Sequence, residues 1–244
     1  MANLYLREDL DDASVGGEVA LEGAEAKHMV SVSRTRPGDE VTVSNGRGLV
    51  VDGVVETAEA SRAVVRVDAV RRVPEPRRRL VLVQALAKGG RDELAVQTAV
   101  ELGVDGIVPW QAARSVSRWN GDKQAKGVQR WASIVREATK QSVRPWLASV
   151  AAPVTTAQLA NRAAGGTMLV LEPGANEPLT GIRFDDDRRD VLVVVGPEGG
   201  ISPEESRMLA EAGGVSVRLG SSVLRTSSAG PAAIAVVNTA LGRW

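Results

Sequence analysis

Residues 191–205 read VLVVVGPEGGISPEE. The first five are apolar, four of them valine, with no polar alternation. That is the pattern of a strand covered on both faces, as in a parallel sheet. Gly196-Pro197-Glu198-Gly199-Gly200 follows at once, and a helix start follows that. Ser202 suits the N-cap, Pro203 the first helical position, and Glu205 completes a capping box. Strand, loop and helix in immediate succession point to an α/β fold. Glycines let a backbone approach a ligand closely, and open α/β sheets bind ligands beyond the carboxyl ends of their strands. The spacing is neither G-x-G-x-x-G nor a phosphate loop with Lys-Ser/Thr, and Glu198 repels phosphate. A neutral or cationic ligand is compatible with the loop, and so is a tight turn without a ligand.

The same texture extends over the C-terminal two thirds. Residues 80–87 (LVLVQALA), 167–173 (TMLVLEP) and 191–196 (VLVVVG) read as buried strands, with VDGIVPW and VSVRLG (215–220) as further ones. Between them, RDELAVQTAVELG reads as a helix stopped at Gly103, and KGVQRWASIVREATKQS as a second. The second places Val128, Trp131, Val135, Ala138 and Ser142 on one face. SPEESRMLAEAGG and the Ala-rich tail from about Ala229 to Leu241 are further helices. Alternating strands and helices argue for a parallel sheet covered on both faces.

Residues 1–70 differ. In EVTVSNGRGLVVDGVV, Val41 and Val43 alternate with polar neighbours, NGRG turns, and the apolar pattern resumes. That is a hairpin signal in a small antiparallel β unit. VRRVPEPRRR (70–79), with its two prolines and five arginines, reads as a linker. The expected domains are residues 1–73 and 74–244.

No cysteine is present, which excludes disulfides, thiolate metal sites and cysteine nucleophiles. His28 is the lone histidine, so no metal site and no Ser-His-Asp arrangement is expected. MANLYLREDLDD shows no apolar stretch of signal-peptide type, and no run reaches membrane-spanning length. A cytoplasmic protein is expected, with no membrane partner.

The 30 basic and 30 acidic residues cancel, which by itself disfavours nucleic acid. Their distribution does not. Residues 1–73 hold nine basic and 13 acidic side chains, residues 74–150 hold 13 and seven, and residues 151–244 hold eight and ten. Positive charge is concentrated in the middle third. There Arg114, Arg118, Lys123, Lys126, Arg130, Arg136, Lys140 and Arg144 interleave with Trp110, Trp119, Trp131 and Trp146. Cations bind phosphates and aromatic faces stack on unpaired bases. Trp131 lies on the apolar helix stripe and reads as core, whereas Trp119 is the better candidate for an exposed ring. Lys27, Arg34 and Arg36 add a small basic patch to the acidic first domain.

RLGSSVLRTSSAGPAAIA (218–235) is a second strand end followed by small residues. Two such loops together can wall a ligand pocket, although taken by itself this stretch favours an ordinary loop and a tightly packed small-residue helix. Four stretches now stand in order: KHMVSVSRTRPGDEVTVSNGRG, ALAKGGRDELAVQTAVELGVDGIVPWQAARSV, REATKQSVR, and LVVVGPEGGISPEE with LGSSVLRTSSA. Together they resemble the RsmE family, which methylates N3 of a uridine in small-subunit (16S) ribosomal RNA, within the SPOUT class of methyltransferases.

The resemblance implies an N-terminal PUA-like β-barrel for RNA and a C-terminal SPOUT α/β domain, with a parallel sheet and a trefoil knot. It implies a homodimer acting on 16S ribosomal RNA or the small ribosomal subunit rather than DNA. S-adenosyl-L-methionine is the implied cofactor. Carried over residue by residue, its site comprises Leu171 and Glu172 at one strand end, Val195, Gly196, Glu198 and Gly200 in the first loop, and Leu219, Gly220, Leu224 and Arg225 in the second. Expected RNA contacts are Arg7, Lys27, His28, Arg34, Arg36, Lys88, Arg114, Arg118 and Arg144. Arg225, Glu198 and Arg144 are the candidate catalytic residues: guanidinium groups stabilise charge developing on the base, and a carboxylate suits a sulfonium.

One departure stands out. Many members read Leu-Arg-Thr-Glu-Thr-Ala, whereas residues 224–229 read LRTSSA. A carboxylate is missing, so the proton acceptor stays open among water, Ser228 and Glu198. A related enzyme acting on transfer RNA, a non-catalytic RNA-binding or assembly factor, and a nucleotide-binding α/β enzyme are the alternatives.

Overall fold

The computed structural model describes residues 3–163, 165–184 and 189–244. They form two compact units: Met1–Pro76 with Thr139–Leu147, and Arg77–Ala138 with Ala148–Trp244.

The first unit holds β1 (Asn3–Leu6), β2 (Glu18–Glu22), α1 (Gly23–Lys27), a π-helical turn (His28–Val32), β3 (Glu40–Ser44), β4 (Leu49–Ala58) and β5 (Arg62–Arg72). The strands make one curled five-stranded sheet in the order β1-β3-β4-β5-β2. β1 pairs with β3 in parallel and the other pairs are antiparallel. Register shifts at Asp52/Gly53 and Val55/Thr57 interrupt the long β4–β5 ladder, and such irregularities bend a strand. Tyr5, Leu21, Met29, Val43, Leu49, Val51 and Val65 are buried together in its core.

The expected hairpin is present as β3–β4. Asn45 organises its turn: the side-chain oxygen accepts from the N–H of Arg47 at 2.8 Å and of Leu49 at 3.1 Å. The linker begins later than the prolines and arginines suggest. Val70, Arg71 and Arg72 pair with Val51, Val50 and Leu49, and Asp52 takes the Arg71 guanidinium at 3.0 Å. A strand carrying arginines on its wet face is indistinguishable by composition from a charged linker.

Residues 139–147, expected with the second domain, group with the first unit. Leu147 donates its N–H to Gly46, Gly48 donates to Pro145, and the Trp146 indole donates to Val73 at 3.0 Å. These residues cap the β3–β4 turn, a contact far apart in sequence that no local pattern announces.

The second unit contains β6 (Leu80–Ala85), α2 (Arg91–Glu101), β7 (Gly106–Trp110), most of α3 (Asp122–Gln141), β8 (Ser149–Val150), α4 (Thr156–Ala163), β9 (Gly166–Leu171), β10 (Glu177–Pro178), β11 (Asp190–Val195), α5 (Pro203–Glu211), β12 (Val215–Arg218) and α6 (Thr226–Ala240). Seven strands form a sheet in the order β10-β12-β9-β11-β6-β7-β8, and every pair is parallel. Val191–Val195 of β11 are all buried, as the unbroken apolar run requires. Short α4 was not legible: eight residues with only Leu159 and Ala163 buried give a weak period. On α3, Trp131, Val135 and Ala138 are buried as expected, while Val128 is half-buried and Ser142 lies beyond the helix end.

The order β12-β9-β11 has a direct consequence. Three neighbouring parallel strands end side by side, so the loops after Leu171, Val195 and Arg218 leave the same edge of the sheet together.

Candidate functional site

These three exit loops wall a cavity of about 790 Å³. The ten residues assigned to a cofactor from the sequence all line it: Leu171 and Glu172 from the β9 exit, Val195, Gly196, Glu198 and Gly200 from the β11 exit, and Leu219, Gly220, Leu224 and Arg225 from the β12 exit. Gly200 and Gly220 have φ of +72° and +132°, and a Cβ added to either meets nothing within 4 Å. Backbone is therefore exposed to open space at two points of the wall, which leaves room for a ligand to approach the main chain.

Polar groups hold the loops in place. The Thr226 hydroxyl, at the first position of α6, donates to the Gly196 carbonyl at 2.8 Å and accepts from Gln84 Nε2 at 2.9 Å. Glu172 turns its carboxylate onto the hydroxyls of Ser206 and Ser216. Glu198 Oε1 accepts from the Lys88 N–H at 3.3 Å and from Arg91 Nη1 at 3.2 Å. Burial works against ionising Glu198, but backbone N–H donors and the Arg91 guanidinium outweigh it and hold the carboxyl below the usual range.

The capping box is present, with Ser202 accepting from the Glu205 N–H and Glu205 Oε2 accepting from the Ser202 N–H at 3.1 Å. Glu205 does more than close that box. It is buried, and its Oε1 accepts from the Ala113 N–H and the Thr156 hydroxyl, each at 2.7 Å. Burial raises its pKa, yet these donors bring it below the ordinary value.

A model of the RNA methyltransferase domain matches residues 74–238, and a model of the RNA methyltransferase PUA domain matches residues 21–68. Ribosomal RNA small subunit methyltransferase E of Mycobacterium tuberculosis (strain CDC 1551 / Oshkosh) is 39% identical over 251 residues, covering 100% of this chain and 94% of that protein. The chain belongs to the ribosomal RNA small subunit methyltransferase E family. The Bacillus subtilis (strain 168) member is 29% identical, covering 86% of this chain and 85% of its own length. Among solved structures, the Neisseria gonorrhoeae enzyme of this name, bound to S-adenosyl methionine, superposes with a TM-score of 0.87 at 28% identity and 98% coverage of both chains. A Legionella pneumophila protein in complex with the bound cofactor SAM gives a TM-score of 0.85 at 27% identity, again with 98% coverage of both chains.

Within this family framework the expected RNA contacts fall into two groups. In the second unit, Lys88, Arg114 and Arg118 are exposed. Arg114 Nη1 donates to the Gly199 carbonyl at 3.0 Å, and Arg118 Nη2 to the Ala113 carbonyl at 2.8 Å. Lys88 and Arg114 thus both adjoin the glycine loop. In the first unit, Lys27, Arg34 and Arg36 are exposed, Arg7 lies 3.4 Å from Asp9, and His28 meets the Tyr5 ring edge-on at 6.4 Å. Arg144 is half-buried in the first unit and is not among the residues lining the cavity. Arg225 is exposed at the N-cap of α6 and does line it.

Part of the basic segment is not free surface. Trp119, expected to expose its ring, is half-buried: it packs edge-on against Trp131 with centroids 5.1 Å apart and lies directly over Gly127. Trp110 and Trp131 are buried, and Trp146 is committed to Val73. Lys140 is buried and paired with Glu25 at 3.3 Å. Charge and aromatic counts along a sequence do not separate a wet helix face from a dry one.

Sequence reasoning missed Arg91 and Thr226, which also line the cavity. Arg91 sits in a helix start that reads as ordinary, and Thr226 was weighed only for the serines after it. Glu205 was visible as a cap and not as a hub, because its other partners lie 92 and 49 residues away.

Proposed function

We propose that this protein is an S-adenosylmethionine-dependent methyltransferase that forms 3-methyluridine in small-subunit ribosomal RNA. Methylation of ribosomal RNA follows from family membership together with the cavity. The uridine-N3 target rests on the paired motifs GPEGGISPEE and LGSSVLRTSS. The single observation that carries the reading is the convergence of ten motif residues from three separate loops on one cavity.

The residues present fit the cofactor. Its volume of about 790 Å³ suits a ligand of nucleoside size. Leu171, Val195, Leu219 and Leu224 offer apolar wall, and Gly200 and Gly220 offer bare backbone. The Arg91 cation in the wall is neutralised by Glu198. When bound, S-adenosylmethionine supplies an electrophilic methyl group on a sulfonium.

The chain's own residues supply position and charge. Gly196, Gly200 and Gly220 let the backbone of the cavity wall approach the donor closely, and alignment of donor and acceptor accounts for much of the rate. Arg225, at the cavity mouth, stabilises the negative charge that develops on the uracil ring as N3 loses its proton. N3 lies on the pairing edge, so the target base enters unpaired or flipped. Glu198 is anionic and committed to Arg91 and the Lys88 N–H, which makes it a weak proton acceptor. No carboxylate stands at 227 or 228, and the N3 proton passes to solvent at the mouth. Lys88, Arg114 and Arg118 hold RNA phosphates beside the glycine loop, and Lys27, Arg34 and Arg36 hold them on the PUA-like domain.

The same reading includes a homodimer, a trefoil-knotted second domain and a cytoplasmic enzyme. Among the described residues no helix is long and apolar enough to cross a membrane. Nucleoside analysis of ribosomal RNA from cells with and without the protein tests the function: 3-methyluridine is lost with the protein. Its persistence in 16S RNA, or its loss from transfer RNA instead, overturns the substrate. Absence of S-adenosylmethionine binding by calorimetry overturns the enzyme.

A further inference from the structure

Within the glycine loop the Gly200 N–H donates to the Pro197 carbonyl at 2.9 Å, and this single turn leaves most of the loop's shape to be set from outside. Gly196, Gly199 and Gly200 lack side chains, and glycine samples more backbone conformations than any other residue. Something outside the loop must select one. Gly199 is gripped from one side by Arg114 and Gly196 by Thr226. The remaining grip is Glu198, whose Oε1 takes two donors from the turn that opens α2. That turn is built for the purpose. Gly89 and Gly90 both adopt left-handed φ, +68° and +71°, which folds Lys88 and Arg91 toward the same oxygen atom.

We propose that Arg91 is a positioning residue for the donor cavity, acting through Glu198. The role rests on the proposed function. It has two parts. The ion pair fixes Pro197–Gly200 against the β6 exit, so the cavity wall is formed before the donor arrives. It also cancels charge. Arg91 lines the cavity, and an unpaired guanidinium there would repel a sulfonium cation, whereas the Arg91–Glu198 pair presents no net charge. Glu198 in this role shapes the pocket and takes no proton.

The test is a double-mutant cycle read by calorimetry with S-adenosylmethionine and by steady-state kinetics on ribosomal RNA. The variants are Arg91→Ala, Arg91→Lys, Glu198→Gln and the double Arg91→Ala/Glu198→Gln. Both partners are partly exposed, 42% and 23%, so the pair's own contribution is small and its removal raises the donor Kd by about fivefold. Each of the Ala and Gln variants is expected to show that rise, in Kd and in the donor KM, with kcat at saturating donor changed by less than about twofold. The double variant is expected to be no weaker than the worse single one, since the two side chains act as a unit. Arg91→Lys restores most of the affinity because an ammonium keeps the ion pair. Melting temperatures report folding separately. Additive effects in the double variant, an unchanged donor Kd in Arg91→Ala, or Arg91→Lys as weak as Arg91→Ala overturns the positioning role while leaving the enzyme intact. A wild-type protein that does not bind S-adenosylmethionine overturns both.

Discussion

The Thr226 hydroxyl donates to the Gly196 carbonyl at 2.8 Å, which ties the first turn of α6 to the start of the glycine loop. The same hydroxyl accepts from Gln84 Nε2 in β6, and Gln84 is fully buried. One side chain therefore holds together a strand, a loop and a helix at the cavity wall.

Replacing Thr226 by Val keeps its shape and removes both bonds. Gln84 Nε2 keeps its bond to the Ala85 carbonyl at 3.1 Å but loses its second acceptor, and the Gly196 carbonyl loses its Thr226 donor, which costs about 1–3 kcal/mol. Denaturant unfolding is expected to show that loss, and donor affinity is expected to fall with it. Thr226→Ser keeps the hydroxyl and should recover both. Equal behaviour of Val and Ser variants would count against the hydroxyl.

Glu205 gives a pH dependence whose sign is fixed. Its folded pKa lies below the ordinary 4.5, because the donors from Ala113, Thr156 and Ser202 outweigh burial. Its contribution to stability is therefore complete above the unfolded pKa and is lost as pH falls through the lower folded value. Asp52 and Glu198 are shifted the same way and add to this acid limb, whereas Asp92, raised by burial, acts in the opposite sense. Glu205→Gln is expected to lose about 1.5–3 kcal/mol at neutral pH and to flatten the acid limb in a series of unfolding curves between neutral pH and pH 3 or so.

Lys140 separates structural charge from RNA-binding charge. It is only 7% exposed and its partner Glu25 only 13%, and Glu25 also accepts from the Leu6 N–H at 3.2 Å. Breaking a buried pair by removing one partner costs about 3–5 kcal/mol. Lys140→Ala should destabilise on that scale, read by thermal or denaturant unfolding. At temperatures where the variant is folded, its RNA affinity should keep the wild-type dependence on salt.

The GPEGGISPEE stretch announced its strand, its turn and its capped helix because all three are set by neighbours within a few residues. The buried runs of the parallel sheet were equally plain. Residues 139–147 and the partners of Glu205 were not, since each depends on contacts across tens of residues. The pocket residues were legible through the motif pair rather than through physics of the loop, which fitted a bare turn equally well. Trp119 and Lys140 mark the limit of composition: both looked like an RNA surface and both are packed inward.

Arg225 and Arg114 carry the same charge and should fail differently. Arg225 lines the cavity at the N-cap of α6, and the proposed role of its guanidinium is to stabilise charge on the reacting base. Arg225→Ala is expected to lower kcat by about 10²-fold, the scale of one lost oxyanion donor, with donor Kd changed far less. Arg114 sits on the outer side of the glycine loop, exposed, with one N–H on the Gly199 carbonyl. Arg114→Ala should weaken RNA binding and reduce the slope of log K against log salt by about 0.7–0.9, the effect of one phosphate contact. Arg144, placed in the first unit, should behave like Arg114 in the salt titration and unlike Arg225 at saturating RNA. A salt slope unchanged in both variants would remove Arg114 and Arg144 from the RNA surface, and equal losses of turnover and donor affinity in Arg225→Ala would remove it from the transition state.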